Sequence, residues 1–350
     1  MTEPCILSLD QGTSSSRAIL FSLSGDIQSL YQQPVDLIYP QNGWVEQDAK
    51  SIIDTTISSI SKIVNEAKDN SVEITALAIV NQRETTICWD RKTGEPVYNA
   101  IVWQDRRTAE YCNKLKEGGY EKEVQSRTGL LLDPYFSATK IKWILDHVDG
   151  ARALAEQGDL LFGTVDCYVL WHLTNGRVHA TDITNASRTM LFNINQQDWD
   201  YELLDIFGIP SSILPEVKDC GYKFGITDTS LFSSPITISG VAGDQQAAAL
   251  GQACFIPGML KATYGTGCFA ILNTGSEIAR SSQRLLTTIA YRLNGKTSYA
   301  LEGSIFCAGA SLKWFQEKLQ LIKCPEDAGT LASDSDLTQE VYMIPAFTGL

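Results

Sequence analysis

The 350-residue sequence predicts a mixed α/β protein of two lobes. Three observations lead there. The chain opens on a short apolar strand, Cys5 to Leu9, which runs through Asp10-Gln11-Gly12-Thr13-Ser14-Ser15-Ser16-Arg17 into a second strand, Ala18 to Phe21. The same sequence of strand, glycine-hydroxyl turn and strand recurs as Leu260 to Tyr264, Gly265-Thr266-Gly267 and Cys268 to Leu272. Between them, Ile74 to Val80 is a continuous apolar run of the kind buried on both faces of a sheet. A hairpin repeated in two halves, each with a turn suited to phosphate, implies two lobes around one nucleotide. The boundary falls near Gly251, giving domains 1–250 and 251–350.

Each element follows from local pattern. Gly25-Asp26 turns the chain into a third strand, Ile27 to Tyr31, which completes an antiparallel meander. Asp48 is the N-cap of an amphipathic helix with Ile52, Ile53, Ile57, Ile60 and Val64 on one face. The strand Ile74 to Val80 delivers Asn81-Gln82-Arg83-Glu84 at its C-terminal end. A hairpin from Thr85 to Trp89 turns at Arg91 to Gly94, Ile101 to Trp103 is a short strand, and Gln104 to Arg107 opens a helix. Tyr111 to Asp159 is helical, broken at Gly118-Gly119 and Asp133-Pro134, and Leu160 to Leu173 is apolar. Residues 181–235, rich in Asp, Asn, Ser and Pro, read as surface elaboration. Pro235 to Ala242 is a strand ending at Gly243-Asp244-Gln245-Gln246, where an Ala-rich helix starts. Further on, Leu285 to Arg292 and Ser298 to Leu301 form a hairpin across Asn294-Gly295. Ala308 to Ser311 then opens a helix through Leu312, Phe315 and Leu319.

Composition narrows the function. Apolar content of 44% and charged content of 20% are those of a globular protein. A net charge of −13 without a long basic cluster argues against nucleic acid and anionic membrane as partners. No apolar stretch reaches transmembrane length, and the N-terminus lacks the basic region and apolar core of a secretion signal. Nine cysteines, none in a Cys-x-x-Cys pair and most in apolar runs, read as reduced thiols of a cytoplasmic protein. Three scattered histidines offer little to a zinc site.

Several residues carry chemistry. Gly12 lets the backbone approach a ligand closely, and backbone N–H groups with the hydroxyls of Thr13, Ser14 and Ser15 can donate to phosphate oxygens. Arg17 adds a fork of donors. Asp10 is acceptor-only when ionised, so beside a phosphate it needs a cation, most simply Mg²⁺. The structural alternative is a Ser/Thr-rich turn capped by Asp. Arg83-Glu84 stands at the end of a buried strand, where open α/β sheets place ligands. A guanidinium beside a carboxylate suits hydroxyls, which both donate and accept; the alternative is a solvated surface pair. Trp103 and Tyr135 are core aromatics or the apolar wall of a polyol pocket. Asp244 is a helix cap or the base that accepts a proton from an attacking hydroxyl. Gly295-Lys296-Thr297 is no P-loop, because Ala290 stands where the first glycine is required.

Six segments in order resemble the FGGY carbohydrate kinase family: residues 10–17, 81–85, 103–107, 135–144 with its Lys-x-x-Trp, 243–246 and 263–267. The resemblance covers essentially the whole chain. It implies an actin-like, ribonuclease-H-like two-lobe kinase fold and transfer of the ATP γ-phosphoryl group to a terminal hydroxyl of glycerol, giving sn-glycerol 3-phosphate. By the same resemblance, Arg83, Glu84, Tyr135, Asp244 and Gln245 hydrogen-bond glycerol, Trp103 and Phe269 wall its carbons, and Asp244 is the base. Thr13, Ser14, Ser15, Arg17, Thr266 and Gly309 contact ATP or ADP, and Asp10 positions Mg²⁺. Lys313 stands at a nucleotide-contacting position where many bacterial members carry Gln.

Departures from the family also carry expectations. The segment Phe224 to Pro235 lacks the Gly-Gly and Arg loop with which regulated bacterial members bind a sugar bisphosphate. Family members continue beyond Leu350, so the resemblance implies a second lobe truncated at its C-terminus. Its adenosine-binding glycine loop would be missing and apolar surface exposed. Two alternatives stay open: a kinase for another polyol or ketose of the same family, and a catalytically silent polyol-binding protein. A homo-oligomer stays open as well.

Overall fold

The parallel pairing of three strands brings the chemistry-bearing segments together. In the computed structural model, which describes residues 4–232, 234–265, 267–336, 338 and 342–345, the first lobe is built on a six-stranded sheet. Strands β1 (Pro4–Gln11), β2 (Ser15–Ser22) and β3 (Ile27–Pro34) form the antiparallel meander. The third runs past the expected Tyr31 because Gln32 to Pro34 keep pairing with Ser15 to Arg17. Helix α1 (Ala49–Asp69) starts at Asp48, whose carboxylate accepts from the Lys50 N–H. It buries Ile52, Ile53, Ile60, Ile63 and Val64 in the core that β1 shares through Cys5, Leu7 and Leu9. The chain then enters β4 (Glu73–Asn81), parallel to β1. With β5 (Gly225–Ile226) and β6 (Thr237–Gly243) the order is β5-β6-β4-β1-β2-β3, and β6 is parallel to β4. This is the expected mixed, actin-like arrangement. Gln11 lies in register with Asn81, and Asn81 with Gly243. Asp10, residues 82–84 and Asp244 therefore meet at the carboxyl edge of the sheet.

The second lobe carries a four-stranded antiparallel sheet of β7 (Leu260–Tyr264), β8 (Cys268–Gly275), β9 (Leu286–Leu293) and β10 (Lys296–Ile305), in the order β7-β8-β10-β9. Asn294 and Gly295 both have positive φ, 50° and 73°, as a two-residue hairpin turn requires. Gly295-Lys296-Thr297 is thus a strand connection, as its sequence indicates. Large apolar side chains lie exposed in this half, among them Tyr264, Ile305, Leu321 and Ile344. Among the described residues no helix is long and apolar enough to cross a membrane.

Three expectations are corrected. Residues 181–235 are not surface elaboration: Ile183, Asn185, Arg188, Met190, Leu191 and Phe192 are all fully buried. Their polar groups satisfy one another, Asn185 pairing with Asn81 and Asp182, so a loop-like composition belongs to core. Ile87–Asp90 closes the expected turn at Gly94, where Trp89 bridges Pro96, and pairs as well with the strand Leu160–Gly163. The short strand near 101 is Ala100–Ile101, and the following helix begins at Ala109, because Asp105 is engaged by Val45 N–H and Arg107 instead of capping a helix.

Candidate active site

Glu84 sets the geometry of the buried end of the site. Its φ of 59° is left-handed, an unusual state for a non-glycine residue. The strain is held by donors on helix α2 (Ser137–His147): Ser137 Oγ and Lys140 Nζ each donate to the Glu84 carbonyl at 3.1 Å. The turn separates Arg83 from its neighbour, so Arg83 Nε lies 3.8 Å from Glu84 Oε1 and 3.4 Å from Asp244 Oδ1. Arg83 instead donates from Nη1 and Nη2 to Glu302 at 2.7 and 3.0 Å, and Nη2 reaches the Tyr135 hydroxyl at 3.3 Å. Gly243 is needed beside it, since a Cβ there would sit 2.8 Å from Arg83 Cγ and Cδ.

Two residues of this cluster escape a sequence reading. Arg188 follows the short helix α3 (Ile183–Ala186) and donates from Nε to Glu84 Oε1 at 2.6 Å and from Nη2 to Glu302 Oε1 at 3.0 Å. Among the described residues its Nη1 is buried without a hydrogen-bond partner, which leaves that nitrogen's N–H groups for a further acceptor. Glu302 sits in β10, between apolar Ala300 and Leu301 and small Gly303. A charge in the middle of such a strand is the one signal that marks it. Burial pushes the Glu302 carboxyl up, but the guanidinium groups of Arg188 and Arg83 outweigh burial and hold it at about 2. Burial prevails at Glu84, whose carboxyl is raised against the pull of Arg83 and Arg188.

An aromatic wall adjoins these charges. The Trp103 ring stands edge-on to Tyr135 at 5.8 Å and to Phe269 at 6.1 Å between centroids. Phe306, not foreseen from sequence, lies 5.3 Å from Tyr135 and 6.2 Å from Trp103. Trp103 Nε1 donates to Thr13 Oγ1 at 2.8 Å, tying the wall to the first turn.

Asp244 opens helix α4 (Asp244–Gly251), half-buried, where the Gly243 N–H donates to Thr184 Oγ1. Burial raises its carboxyl above the ordinary value, Arg83 and Gln245 pull it down, and nearby Asp10 adds to the rise. Gln245 accepts from Lys261 Nζ at 2.5 Å; the Lys261 ammonium is lowered by burial. Asp10 is also raised by burial against the pull of Arg17, whose Nη2 is 3.8 Å away. Two carboxylates, of which Asp10 raises the proton affinity of Asp244, beside turns suited to phosphate, are a donor set that fits Mg²⁺, which takes one or two carboxylates plus phosphate oxygens.

The phosphate side is looser. Ser14 is exposed, Ser15 Oγ accepts from Gln32, and the Gly12 N–H donates to the Ser15 carbonyl. Gly309 opens helix α5 (Gly309–Glu317), and its N–H donates to the Gly265 carbonyl, so a helix N-terminus adjoins the second turn. Thr266 lies outside the described residues. Lys313 is not brought into the cluster: its side chain is 70% exposed and pairs with Glu317 one turn along.

Residues 5–251 match the FGGY family of carbohydrate kinases, N-terminal domain, and residues 260–350 match its C-terminal domain. The chain belongs to the FGGY carbohydrate kinases. This FGGY chain is 56% identical over 345 residues to the glycerol kinase of Sinorhizobium fredii and 55% identical to that of Rhizobium meliloti. Each comparison covers 99% of this chain and 69% of the relative. Among solved structures, Plasmodium falciparum glycerol kinase with ADP matches with a TM-score of 0.92 and 36% identity, over 99% of this chain and 69% of that one. A ligand-bound xylulose kinase from Lactobacillus acidophilus, 20% identical with a TM-score of 0.83 over 95% of this chain and 66% of that one, shares the fold.

Proposed function

We propose that the chain is a glycerol kinase, transferring the γ-phosphoryl group of ATP directly to a terminal hydroxyl of glycerol to give sn-glycerol 3-phosphate. The observation that carries this reading is Asp244: a carboxylate with raised proton affinity, at a helix start, 3.4 Å from Arg83, which itself reaches the Tyr135 hydroxyl. Relatives named glycerol kinase support glycerol over another polyol or ketose.

In this reading Arg83, Glu84, Tyr135 and Gln245 fix the hydroxyls, and Trp103 and Phe269 cover the carbon side. Asp244 takes the proton from the attacking hydroxyl as its oxygen bonds the γ-phosphorus; the bond to the bridging oxygen breaks and ADP leaves with the electron pair. Thr13, Ser14, Ser15, Arg17, Thr266 and Gly309 are the nucleotide contacts. Asp10 would hold Mg²⁺, which when bound neutralises charge on the phosphates. Little covalent work falls to the protein beyond positioning and charge stabilisation. A domain boundary near Gly251 and a cytoplasmic location belong to the same proposal, the latter supported by nine cysteines of which six are buried.

Release of ADP by the 350-residue chain with Mg-ATP, with and without glycerol, tests the proposal. Glycerol-dependent release is expected; a folded sample that releases none overturns it for this chain and leaves the polyol-binding alternative. A panel of polyols and ketoses separates glycerol from its competitors.

A further inference from the structure

Arg83 belongs to the first lobe, yet the carboxylate that holds it comes from the second. Glu302 lies in β10, opposite Ile271 of β8 and Leu286 of β9, and is fully buried. Its Oε2 accepts from Arg83 Nη1 at 2.7 Å. Its Oε1 accepts from Arg83 Nη2 and Arg188 Nη2, each at 3.0 Å, and from Ser304 Oγ at 3.1 Å. Glu84, the sequence neighbour of Arg83, is held by Arg188 instead. Two guanidinium groups and two carboxylates cancel their charge out of contact with water. Removing one carboxylate would leave a buried cation uncompensated.

We propose that Glu302 is the positioning residue the second lobe supplies to the polyol pocket: it fixes which edge of Arg83 faces Asp244 and the substrate, and so makes polyol affinity depend on how the second lobe is seated. The inference rests on the glycerol kinase reading. Bidentate pairing engages both terminal nitrogens of Arg83 and turns Nε toward Asp244, 3.4 Å away. Gly243 packs against the stem of Arg83 and leaves it no slack. On the other side, β10 continues from Glu302 to Ile305, which pairs with Cys268. The Ile305 carbonyl oxygen lies 2.8 Å from where a Cβ on Gly267 would be. One short run of strand thus joins the Arg83 clamp to the second phosphate-suited turn. A polyol bound to Arg83 stabilises that strand, and a nucleotide seated on the turn holds Arg83 in its place.

The test compares wild type with Glu302→Gln, which keeps the shape and removes the charge. Glycerol KM is expected to rise about tenfold or more while ATP KM changes less than about threefold, and Glu302→Asp to recover part of the loss. In wild type, glycerol alone is expected to slow amide exchange in residues 302–306; in Glu302→Gln it is not. An unchanged glycerol KM in a folded variant overturns the inference, with the kinase reading intact. So does a wild type that binds glycerol with no change of exchange in that segment, a measurement that decides even where the variant does not fold. A wild type that neither binds nor phosphorylates glycerol overturns the kinase reading, and this inference with it.

Discussion

The two ends of the site are built differently. At the polyol end, Arg83, Glu84, Arg188 and Glu302 are at most 3% exposed and meet one another at hydrogen-bond distance. At the end proposed for the nucleotide, Ser14 is exposed, Arg17 stands 3.8 Å from its carboxylate, and Lys313 pairs along its own helix. The first end is preorganised by the protein; under the proposed function the second gains its partners from the nucleotide. Preorganised charges act without reorganising when substrate arrives, and their loss is costly. Loosely held groups bind through contacts that are each worth little. Substitutions should therefore divide by which end they touch.

The largest effect is expected at Asp244, where the two ends meet. Asp244→Asn removes the base and should lower kcat by about 10²–10⁴, with glycerol KM little changed. The wild-type rate should fall as pH falls, since the base works only when ionised. Burial raises the Asp244 carboxyl, so this acid limb lies above the ordinary carboxylate value of 3.8. A wild-type limb at or below that value, or a kcat that survives the substitution, would remove Asp244 from the role. Next comes Glu84→Gln, which leaves Arg188 and Arg83 with one buried carboxylate between them. Loss of a buried partner costs about 3–5 kcal/mol, read as a lower denaturant midpoint at unchanged m. A midpoint near wild type would show that water or a rearranged side chain compensates the charge, and that the polyol end is less closed than described.

What could be read from the chain follows the same division. Asp10, Arg83 and Asp244 are legible because each ends a recognisable apolar strand, and parallel strands bring such ends together. Arg188 is not legible. It lies among Asp, Asn, Ser and Thr residues that look like loop and prove to be core, because their hydrogen bonds are made across distant segments, Asn185 to Asn81 among them. Glu302 is not legible either: the sequence pattern predicts a strand that ends at Leu301, its partners lie on the other lobe, and no local pattern encodes that meeting. The left-handed turn at Glu84 is likewise set by Ser137 and Lys140, far along the chain. Lys313 is placed by resemblance alone, and its side chain turns to Glu317 on its own helix.

Trp103 links the ends and should show an intermediate effect. Trp103→Phe keeps an aromatic face but removes the 2.8 Å donor to Thr13 Oγ1. A hydrogen bond of this kind contributes about 0.5–1.5 kcal/mol, a factor of roughly 2–12. If Trp103 only walls the polyol, the loss falls on glycerol KM alone. If it also sets the first phosphate turn, ATP KM rises with it. The second outcome would show that part of the nucleotide end is preorganised after all.

The smallest effect is expected at Lys313. Its ammonium is exposed and 3.6 Å from Glu317, an i,i+4 surface pair. Such pairs contribute about 0.3–0.5 kcal/mol, so Lys313→Ala should leave stability and glycerol KM near wild type and change ATP KM by less than about threefold. A tenfold or larger rise in ATP KM at unchanged glycerol KM would mean that Lys313 leaves Glu317 for a phosphate when nucleotide binds. That result would not weaken the contrast between the two ends. It would locate the adjustable part of the nucleotide end on α5, where the helix N-terminus already adjoins Gly265.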